Sequence, residues 1–273
     1  MSSILTNVGA MQALQSINST NRALATTQNR ISTGLRVANS KDNSSSWAIA
    51  QAMRGDVSGF KAISENLALS TSSISVARTG SETVSDLLNK IKEKVVQANG
   101  TGVDTAKIQD DVDQLLSQID SVANAAEFNG TNFIKATPDS ADLLASMDRS
   151  SGTLAVQTIT VTGVDLTTAA TGLNITGLDV TSATALDDIE TAIGTAGDAA
   201  AQFGSVQNRL EIQSDFVKAL TDALSEGVGS LVDANMEEEA ARLSALQVQQ
   251  QLGVQSLSIA NQAPQSILSL FRN

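Results

Sequence analysis

The sequence predicts a mainly α-helical protein, an elongated helical hairpin or bundle with long coiled-coil-like helices and a small segment rich in β-hairpins. Apolar residues recur at helical spacing along most of the 273 residues, which indicates helices. Only Pro138 and Pro264 can interrupt them. Aromatic residues make up 3% of the chain, so we expect cores of Ala, Leu, Ile and Val, as in slender helix packing.

The first predicted helix, within residues 1–42, has a narrow apolar seam. Most of its positions alternate between steps of three and four, which is the spacing of a coiled coil. The polar residues Asn21 and Gln28 occupy two of these positions, so the seam is weak. The apolar seam residues are Ile4, Val8, Met11, Leu14, Ile17, Leu24, Ile31 and Leu35.

The last predicted helix, within residues 236–273, carries a similar seam that is weakened by Gln250, Gly253 and Pro264. Two such seams bury too little apolar area to offset the backbone entropy of about 70 ordered residues. Permanent disorder is the alternative interpretation, but the periodicity argues against it. We therefore expect the two ends to pair antiparallel and to become ordered against neighbouring molecules. The larger apolar seam residues of this helix are Leu243, Leu246, Leu257, Ile267 and Phe271.

Stronger helical patterns lie between the two ends. Residues 43–135 contain two long helices separated by a turn at 99–104, and residues 183–235 contain a third. We expect these two ranges to form one long-helix domain, while the chain ends form a separate domain.

Residues 136–182 are predicted to form a short, solvent-facing, β-rich variable segment. Thr, Val and Gly alternate partly over 153–182, which predicts short strands in two hairpins. Just before this segment, Asn129-Gly130 lies between apolar pairs and predicts a tight hairpin turn.

Charge is distributed unevenly along the chain. All 29 acidic residues lie between Asp42 and Glu239, and the net charge is −12. A net charge of this sign argues against nucleic-acid and anionic membrane partners. The sequence also lacks the run of about 18 apolar residues that a membrane-spanning helix needs.

The residue inventory argues against catalysis, cofactors and metals. The chain has no Cys, His or Tyr, so it lacks a thiolate nucleophile and the commonest general base and metal ligand. Asp110, Asp111 and Asp113 would lie on two faces of a helix, as expected of a solvated surface. We therefore predict no enzyme activity, no catalytic residue, no cofactor and no metal site.

Four stretches of the sequence resemble bacterial flagellin, the subunit of the flagellar filament, and they occur in the family's order. The stretches ALQVQQQLG and VDANMEEEAAR are similar to the short alphaproteobacterial type. The four stretches are NRISTGLRVANSKDNSSSWAIAQAMRGDV (29–57), LLNKIKEKVVQANG (87–100), EFNGTNFI (127–134) and MEEEAARLSALQVQQQLGVQSLSIANQAPQSILSLFRN (236–273).

The resemblance implies a structural subunit that polymerises into the extracellular bacterial flagellar filament for swimming motility, after type III export without a cleaved signal. Its implied partners are further copies of the chain, paralogous flagellins, an export chaperone, the filament cap and the hook–filament junction proteins. Residues 1–42 and 236–273 would form an inner tube, and the long helices an outer tube. The acid-free ends then have two open explanations: a lumen that does not repel acidic chains passing through it, or close packing that excludes charge.

Two other classes of protein remain as alternatives. A hook–filament junction protein shares the terminal pattern. A secreted coiled-coil adhesin or translocator should lack the paired, order-specific termini.

The resemblance also implies two surface features. Lys90, Lys94 and Asp111 are candidates to face Toll-like receptor 5 of animals. Flagellins of this kind are often O-glycosylated, although threonine also suits strands. The candidate acceptors are Thr158, Thr160, Thr162, Thr167, Thr168, Thr171, Thr176 and Thr181.

We predict that this chain activates Toll-like receptor 5 poorly. Recognised flagellins commonly carry Arg and Leu where this chain has Lys90 and Lys94, and a Lys ammonium reproduces neither the multi-donor fork of Arg nor an apolar contact. Lys90→Arg combined with Lys94→Leu should restore part of the response of receptor-expressing cells to purified monomer. A half-maximal response at the same concentration as a strongly recognised flagellin would contradict this prediction, and the lysines would then be a solvated helix face.

Overall fold

The computed structural model describes residues 7–148 and 155–270, with side chains described as far as residue 262. Ile4 and Phe271, and the side chain of Ile267, therefore lie outside the described residues. The predicted mainly α-helical fold class is confirmed, with helices of up to 55 residues. The elements are α1 (Val8–Thr33), α2 (Ser44–Ala98), α3 (Thr105–Ala125), β1 (Ser140–Asp148), β2 (Ala155–Thr162), α4 (Ala185–Val232) and α5 (Met236–Leu270).

Local capping explains where the helices begin and end. The Asn7 side chain accepts a hydrogen bond from the Ala10 amide at 3.0 Å and starts α1. Gly34, with φ of 70°, ends that helix in the left-handed conformation that glycine tolerates. The Asn235 side chain accepts from the Glu237 amide at 3.1 Å, which places three glutamates in the first turn of α5, the favourable end of its dipole.

The chain folds as two compact units. The terminal unit comprises Met1–Asp56 and Ala223–Asn273, and the central unit comprises Val57–Asp222. The division falls inside α2 and α4 rather than between helices. The loop after α1 packs against the start of α2 and the end of α4, so those helix ends belong to the terminal unit.

The core of the central unit is formed by α2, α3, α4 and the segment that follows α3. Phe133 and Phe203 are fully buried, and their ring centroids lie 6.3 Å apart at an interplanar angle of 52°. This aromatic pair is surrounded by aliphatic side chains, as the composition predicts. Fully buried aliphatic residues of this core include Leu67, Ile74, Leu88, Ile91, Ile119, Ile134, Ile189 and Leu210.

Within residues 7–148 and 155–270, the two strands form one hairpin. β1 and β2 pair antiparallel from Ser140 opposite Thr162 to Asp148 opposite Ala155, with an irregularity after Leu144. The prediction of two hairpins within 153–182 is wrong, because 163–184 contain no strand.

The segment after β2 is organised by carboxylates instead of strand pairing. The Asp120 side chain accepts from the Thr168 amide at 2.8 Å and from its hydroxyl at 2.9 Å. Asp165 accepts similarly from the amide and hydroxyl of Thr167 at 3.0 and 2.7 Å. Both sets of bonds occupy backbone amides that a strand ladder would need, and the one within Asp165–Thr167 is a local turn of the kind that competes with strands. The expectation of a solvent-facing segment also holds only in part, since several of its apolar side chains are buried: Leu166, Leu173, Ile175, Leu178 and Val180.

The predicted turn at Asn129-Gly130 is confirmed. Both residues have positive φ, 51° and 85°, as a two-residue hairpin turn requires. Phe128 and Thr131 pair across the turn, with the Phe128 amide donating to the Thr131 carbonyl at 2.9 Å.

The buried side chain of Asn132 fastens this turn region to the end of α3. Its amide donates to the carbonyl oxygens of Ala123 at 2.8 Å and Asn124 at 3.2 Å, which have no partner further along the helix. The Asn132 backbone amide donates to Asp139 at 2.8 Å, and Lys135 donates to the same carboxylate at 2.9 Å. The hydrogen bond from the Asn132 backbone, followed by that from Lys135, lowers the pKa of Asp139 below its ordinary value.

We predict that Asp139→Asn lowers the thermal midpoint of unfolding at neutral pH. Because the folded-state pKa of Asp139 is depressed, its stabilisation is present above the unfolded pKa and is lost as pH falls through the folded value. The difference from the parent chain should therefore shrink below about pH 4. Thermal melts over a pH series test this, with Asp110→Asn on the exposed face of α3 as the control. A gap that stays constant down to the acid limit would contradict the assignment.

Candidate functional site: the paired terminal helices

α1 and α5 lie antiparallel within the terminal unit. At one end, the Asn7 side-chain amide donates to the Ala260 carbonyl at 2.7 Å. Midway, the Gln250 side-chain amide donates to the side-chain oxygen Oδ1 of Asn21 at 2.8 Å. Polar bonds across a helix pair cost stability but favour one register over the alternatives.

The seam of α5 coincides with the pattern read from the sequence. Its half-buried positions recur at steps of three and four, and all lie where the sequence pattern places them. Gly253 is the narrowest point, since a Cβ there would lie 2.9 Å from Cγ1 of Ile17. The half-buried positions are Leu243, Leu246, Gln250, Gly253, Leu257 and Ala260.

The seam of α1 differs from the predicted one at alternate positions. Ile17, Leu24 and Ile31 are shielded as predicted, but Asn21 and Gln28 are exposed, and Thr20 and Thr27 take the inward positions. Small residues allow the two backbones to approach closely. The inward positions of α1 are Ala10, Ala13, Ile17, Thr20, Leu24, Thr27 and Ile31.

Three predicted seam residues near the start of α1 face away from α5. Val8, Met11 and Leu14 remain 68%, 64% and 50% exposed in the single chain. The predicted seam placed these three residues in one row with Ile17, and their side chains are larger than those of the neighbouring alanines. The structure gives the inward positions to Ala10 and Ala13, which leaves the larger apolar residues on the surface.

A buried ion pair joins the last turn of α1 to the first turns of α5. Arg30 Nη1 lies 2.9 Å from Glu239 Oε1, and the Glu239 side chain is only 7% exposed. Each charge also lies at the helix end whose dipole favours it. The second oxygen of Glu239 has no hydrogen-bond partner among the described residues. The carboxylate therefore depends on Arg30 for most of its compensation, with Arg242 at 4.0 Å.

Backbone bonds fasten the loop after α1 to the connection between α4 and α5. The Ala234 amide donates to the Gly34 carbonyl at 2.9 Å, and the amides of Arg36 and Val37 donate to the Val232 carbonyl at 2.7 and 3.1 Å. We call this set of bonds the junction clip. It fixes the end of the helix pair at which Arg30 and Glu239 meet.

An apolar cluster packs beside the junction clip. Val37 and Val232 are buried together with Ala50 of α2 and Val228 of α4, and Trp47 covers part of them. This packing ties the start of α2 and the end of α4 to the terminal helices, and it explains why the compact units divide inside those helices. The other covering residues are Leu35, Met53 and Leu231.

The predicted receptor-facing residues lie on α2 and α3 of the central unit. Lys94 donates to Asp111 at 2.6 Å, so these two charges are already paired. Lys90 is exposed.

Six of the eight candidate threonine acceptors are exposed. Thr167 and Thr168 are buried, at 4% and 5% exposure, and they hydrogen-bond to Asp165 and Asp120. Burial of these two side chains argues against their being glycan acceptors in the folded chain. The exposed candidates are Thr158, Thr160, Thr162, Thr171, Thr176 and Thr181.

Other kinds of site were sought in the part of the chain that the structure describes. Within 7–148 and 155–262, no three acidic, His or Cys side chains come together in a group that could hold a metal ion. Among the described helices, none has the length and hydropathy needed to cross a membrane.

Known proteins with similar sequences match along the whole chain. The model of the bacterial flagellin N-terminal helical region matches residues 4–138, and that of the C-terminal helical region matches residues 186–271. Flagellin FljK of Caulobacter vibrioides is 41% identical over 275 residues, covering 100% of this chain and 99% of its own. Flagellin FljM of the same organism is 40% identical over 275 residues, with the same coverage of both chains.

A solved structure is similar in fold. The putative flagellar hook-associated protein of Vibrio parahaemolyticus aligns over 70% of this chain and 100% of its own, with a TM-score of 0.54 and 16% identity. At that identity the likeness concerns the fold alone.

Long helices, paired chain ends and family matches at both ends define a helical structural protein. The chain belongs to the bacterial flagellin family. It is a structural subunit of the flagellar filament, of the short type represented by its Caulobacter relatives.

Sequence reasoning missed the ion pair and the threonines of the seam. Arg30 and Glu239 are 209 positions apart, and nothing local to either residue indicates the other. A signal for Thr20 and Thr27 did exist, because they precede Asn21 and Gln28 and keep the same coiled-coil spacing from Ile17, Leu24 and Ile31. A rule that prefers the smaller, less polar residue of each neighbouring pair would have selected Thr20 over Asn21 and Thr27 over Gln28.

We predict that Arg30→Met destabilises the helix pair more than the double variant Arg30→Met with Glu239→Leu. The single change leaves the buried carboxylate with only the longer contact to Arg242, at 4.0 Å, and costs up to about 3 kcal/mol, whereas the double change removes both charges of the closer pair. Hydrogen exchange of α5 amides in the full-length chain measures the free energy of local opening. Arg22→Met, at an exposed arginine of α1, is the matched control. Equal effects of the single and double variants would contradict this account of the pair.

Proposed function

We propose that the paired terminal helices are the surface through which copies of this chain polymerise into an extracellular filament. The observation that carries the proposal is the combination of a narrow inner seam with large apolar residues on the outer surface of α1. Val8, Met11 and Leu14 are exposed in the single chain. Exposed apolar groups of this size are typical of contact surfaces.

The charge distribution supports the same surface. Residues 1–40 and 240–273 contain no acid, although the chain carries a net charge of −12. Packing copies through these ends buries no carboxylate without a partner. It also keeps the 29 acidic residues of the remaining chain out of the contact.

The further partners and the location follow from the family. We infer co-assembly with paralogous flagellins, since related flagellins occur together in Caulobacter vibrioides. An export chaperone, the filament cap and the hook–filament junction proteins are proposed partners, and type III export is the proposed route to the cell exterior. We propose no enzyme activity.

A hook–filament junction role is the second candidate. Such proteins share the terminal pattern of filament subunits, so the paired chain ends alone fit either role. Full-length identity of about 40% to flagellins favours the filament subunit. Electron microscopy separates the two roles, because a filament subunit extends seeds into long helical filaments and a junction protein does not.

We predict that deleting the last ten residues abolishes polymerisation and leaves the central unit folded. The deletion removes the end of α5 and the terminal apolar residues, while Val57–Asp222 keeps its own buried core. Seeded assembly followed by sedimentation and electron microscopy measures filaments, and circular dichroism checks folding. Normal filaments from the shortened chain would exclude the end of α5 from the contact.

We also propose O-glycosylation on one or more of the six exposed threonines in the 150–185 region. These hydroxyls lie at the surface of the hairpin and of the segment that follows it. The intact mass of filament protein should then exceed that of the bare chain, 28.2 kDa. Site mapping should find no glycan on Thr167 or Thr168. An intact mass equal to that of the bare chain would end the proposal.

A further inference from the structure

The side chain of Met147 in β1 packs into a notch on α2 that Gly59 leaves open. A Cβ added at Gly59 would lie 3.0 Å from the Met147 Sδ and closer still to its methyl carbon. Glycine weakens a helix interior relative to alanine, and this close approach of a methionine accounts for its presence here. Both residues belong to the central unit.

The contact fastens one half of the β-hairpin to α2. Met147 lies near the end of β1, opposite Val156 on β2, and we call this half of the hairpin the distal half. Val156 is 55% exposed, so the hairpin itself shields the methionine little. Ile159 and Val161, further along β2, are buried and anchor the other half. The thioether in the notch is therefore a contact on which the position of the distal half depends.

The sulfur of Met147 is both packed and within reach of solvent. The residue is half-buried, so small molecules can approach it. The chain has no cysteine, which leaves the thioethers of its five methionines as the sulfur groups that can be oxidised. Met11 and Met236 are 64% and 45% exposed, so less packing depends on them in the single chain. Met147 differs because its sulfur fills a notch between two elements.

We propose that Met147 is a reversible oxidation site whose reactant is a hydroperoxide. The Sδ attacks the terminal oxygen of the hydroperoxide, so an S–O bond forms while the O–O bond breaks. The sulfur is oxidised by two electrons to the sulfoxide. The other peroxide oxygen is reduced and leaves as water or an alcohol, taking the proton of the hydroperoxide. Methionine sulfoxide reductases reverse the reaction with a thiol as reductant.

The sulfoxide fits the notch poorly. The thioether already fills the space beside Gly59, so an added oxygen on the sulfur has no room there. The sulfoxide oxygen is also polar, and burying such a group without a hydrogen-bond donor costs free energy. The oxidised side chain therefore turns towards water and releases the distal half of the hairpin from α2. The other half stays attached through its buried side chains.

Hydrogen exchange after peroxide treatment tests the site in the full-length, unpolymerised chain. Hydrogen peroxide is the probe, and peptide mass mapping measures the sulfoxide at each methionine. We expect Met147 to be oxidised in the folded chain and the amides of the distal half to exchange at least tenfold faster. Met147→Leu is the matched control, since it keeps an apolar side chain of similar volume without the sulfur. Its hairpin should exchange equally before and after treatment.

The outcomes do not depend on whether the chain forms filaments. Reduction of the sulfoxide by methionine sulfoxide reductases should restore the slow exchange, and exchange that stays fast overturns the reversible release. Oxidation of Met11 and Met236 while Met147 remains a sulfide overturns the site. Oxidation of Met147 without faster exchange, or an equal acceleration in Met147→Leu, overturns the proposed consequence.

A second test fills the notch without an oxidant. Gly59→Ala places a methyl group where Met147 packs and should speed exchange of the distal half at least tenfold, while circular dichroism shows that the helices persist. Gly55→Ala, one turn earlier in α2, is the matched control, because a Cβ there meets no atom within 4 Å. Equal hairpin exchange in the two alanine variants overturns the assignment of the notch.

Discussion

The terminal helices depend on the junction clip and the ion pair beside it. Elsewhere alanine, threonine, glycine and glutamine alternate with a few leucines and isoleucines along the α1–α5 seam, so it buries little apolar area. At the clip, backbone bonds from Ala234, Arg36 and Val37 and the contact of Arg30 with Glu239 define one arrangement. The free ends of α1 and α5 extend away from this fixed point and gain their position from it.

The apolar contacts are extensive in the cores and sparse between the terminal helices, and this distribution suits a subunit that stays soluble before it assembles. The large apolar side chains are concentrated in the cores of the two units, while the helix pair holds only a narrow seam. Ordering that pair fully requires contacts beyond the chain, as expected of segments that bury too little area alone. Under the proposed function, polymerisation and the final ordering of the terminal helices are the same event.

The sequence predicted those parts of the fold that periodicity encodes. Helix positions, the turn at Asn129-Gly130 and the α5 seam could be read from spacing and turn chemistry. The absence of a second hairpin could not, because Asp120 accepts from the Thr168 amide, which a strand would need, and these two residues are 48 positions apart. The ion pair could not be predicted either, because Arg30 and Glu239 are 209 positions apart. The α1 seam was predicted wrongly, because large apolar residues were preferred to the small residues that let two helices approach closely.

Trp47 gives the terminal unit a built-in optical reporter. It is the sole tryptophan of a chain that has no tyrosine, and it lies against the apolar cluster beside the junction clip. Its fluorescence therefore originates at one known position, without label or mutation. The emission wavelength depends on how much water reaches the indole ring, so it follows the loosening of that cluster separately from the unfolding of the central helices.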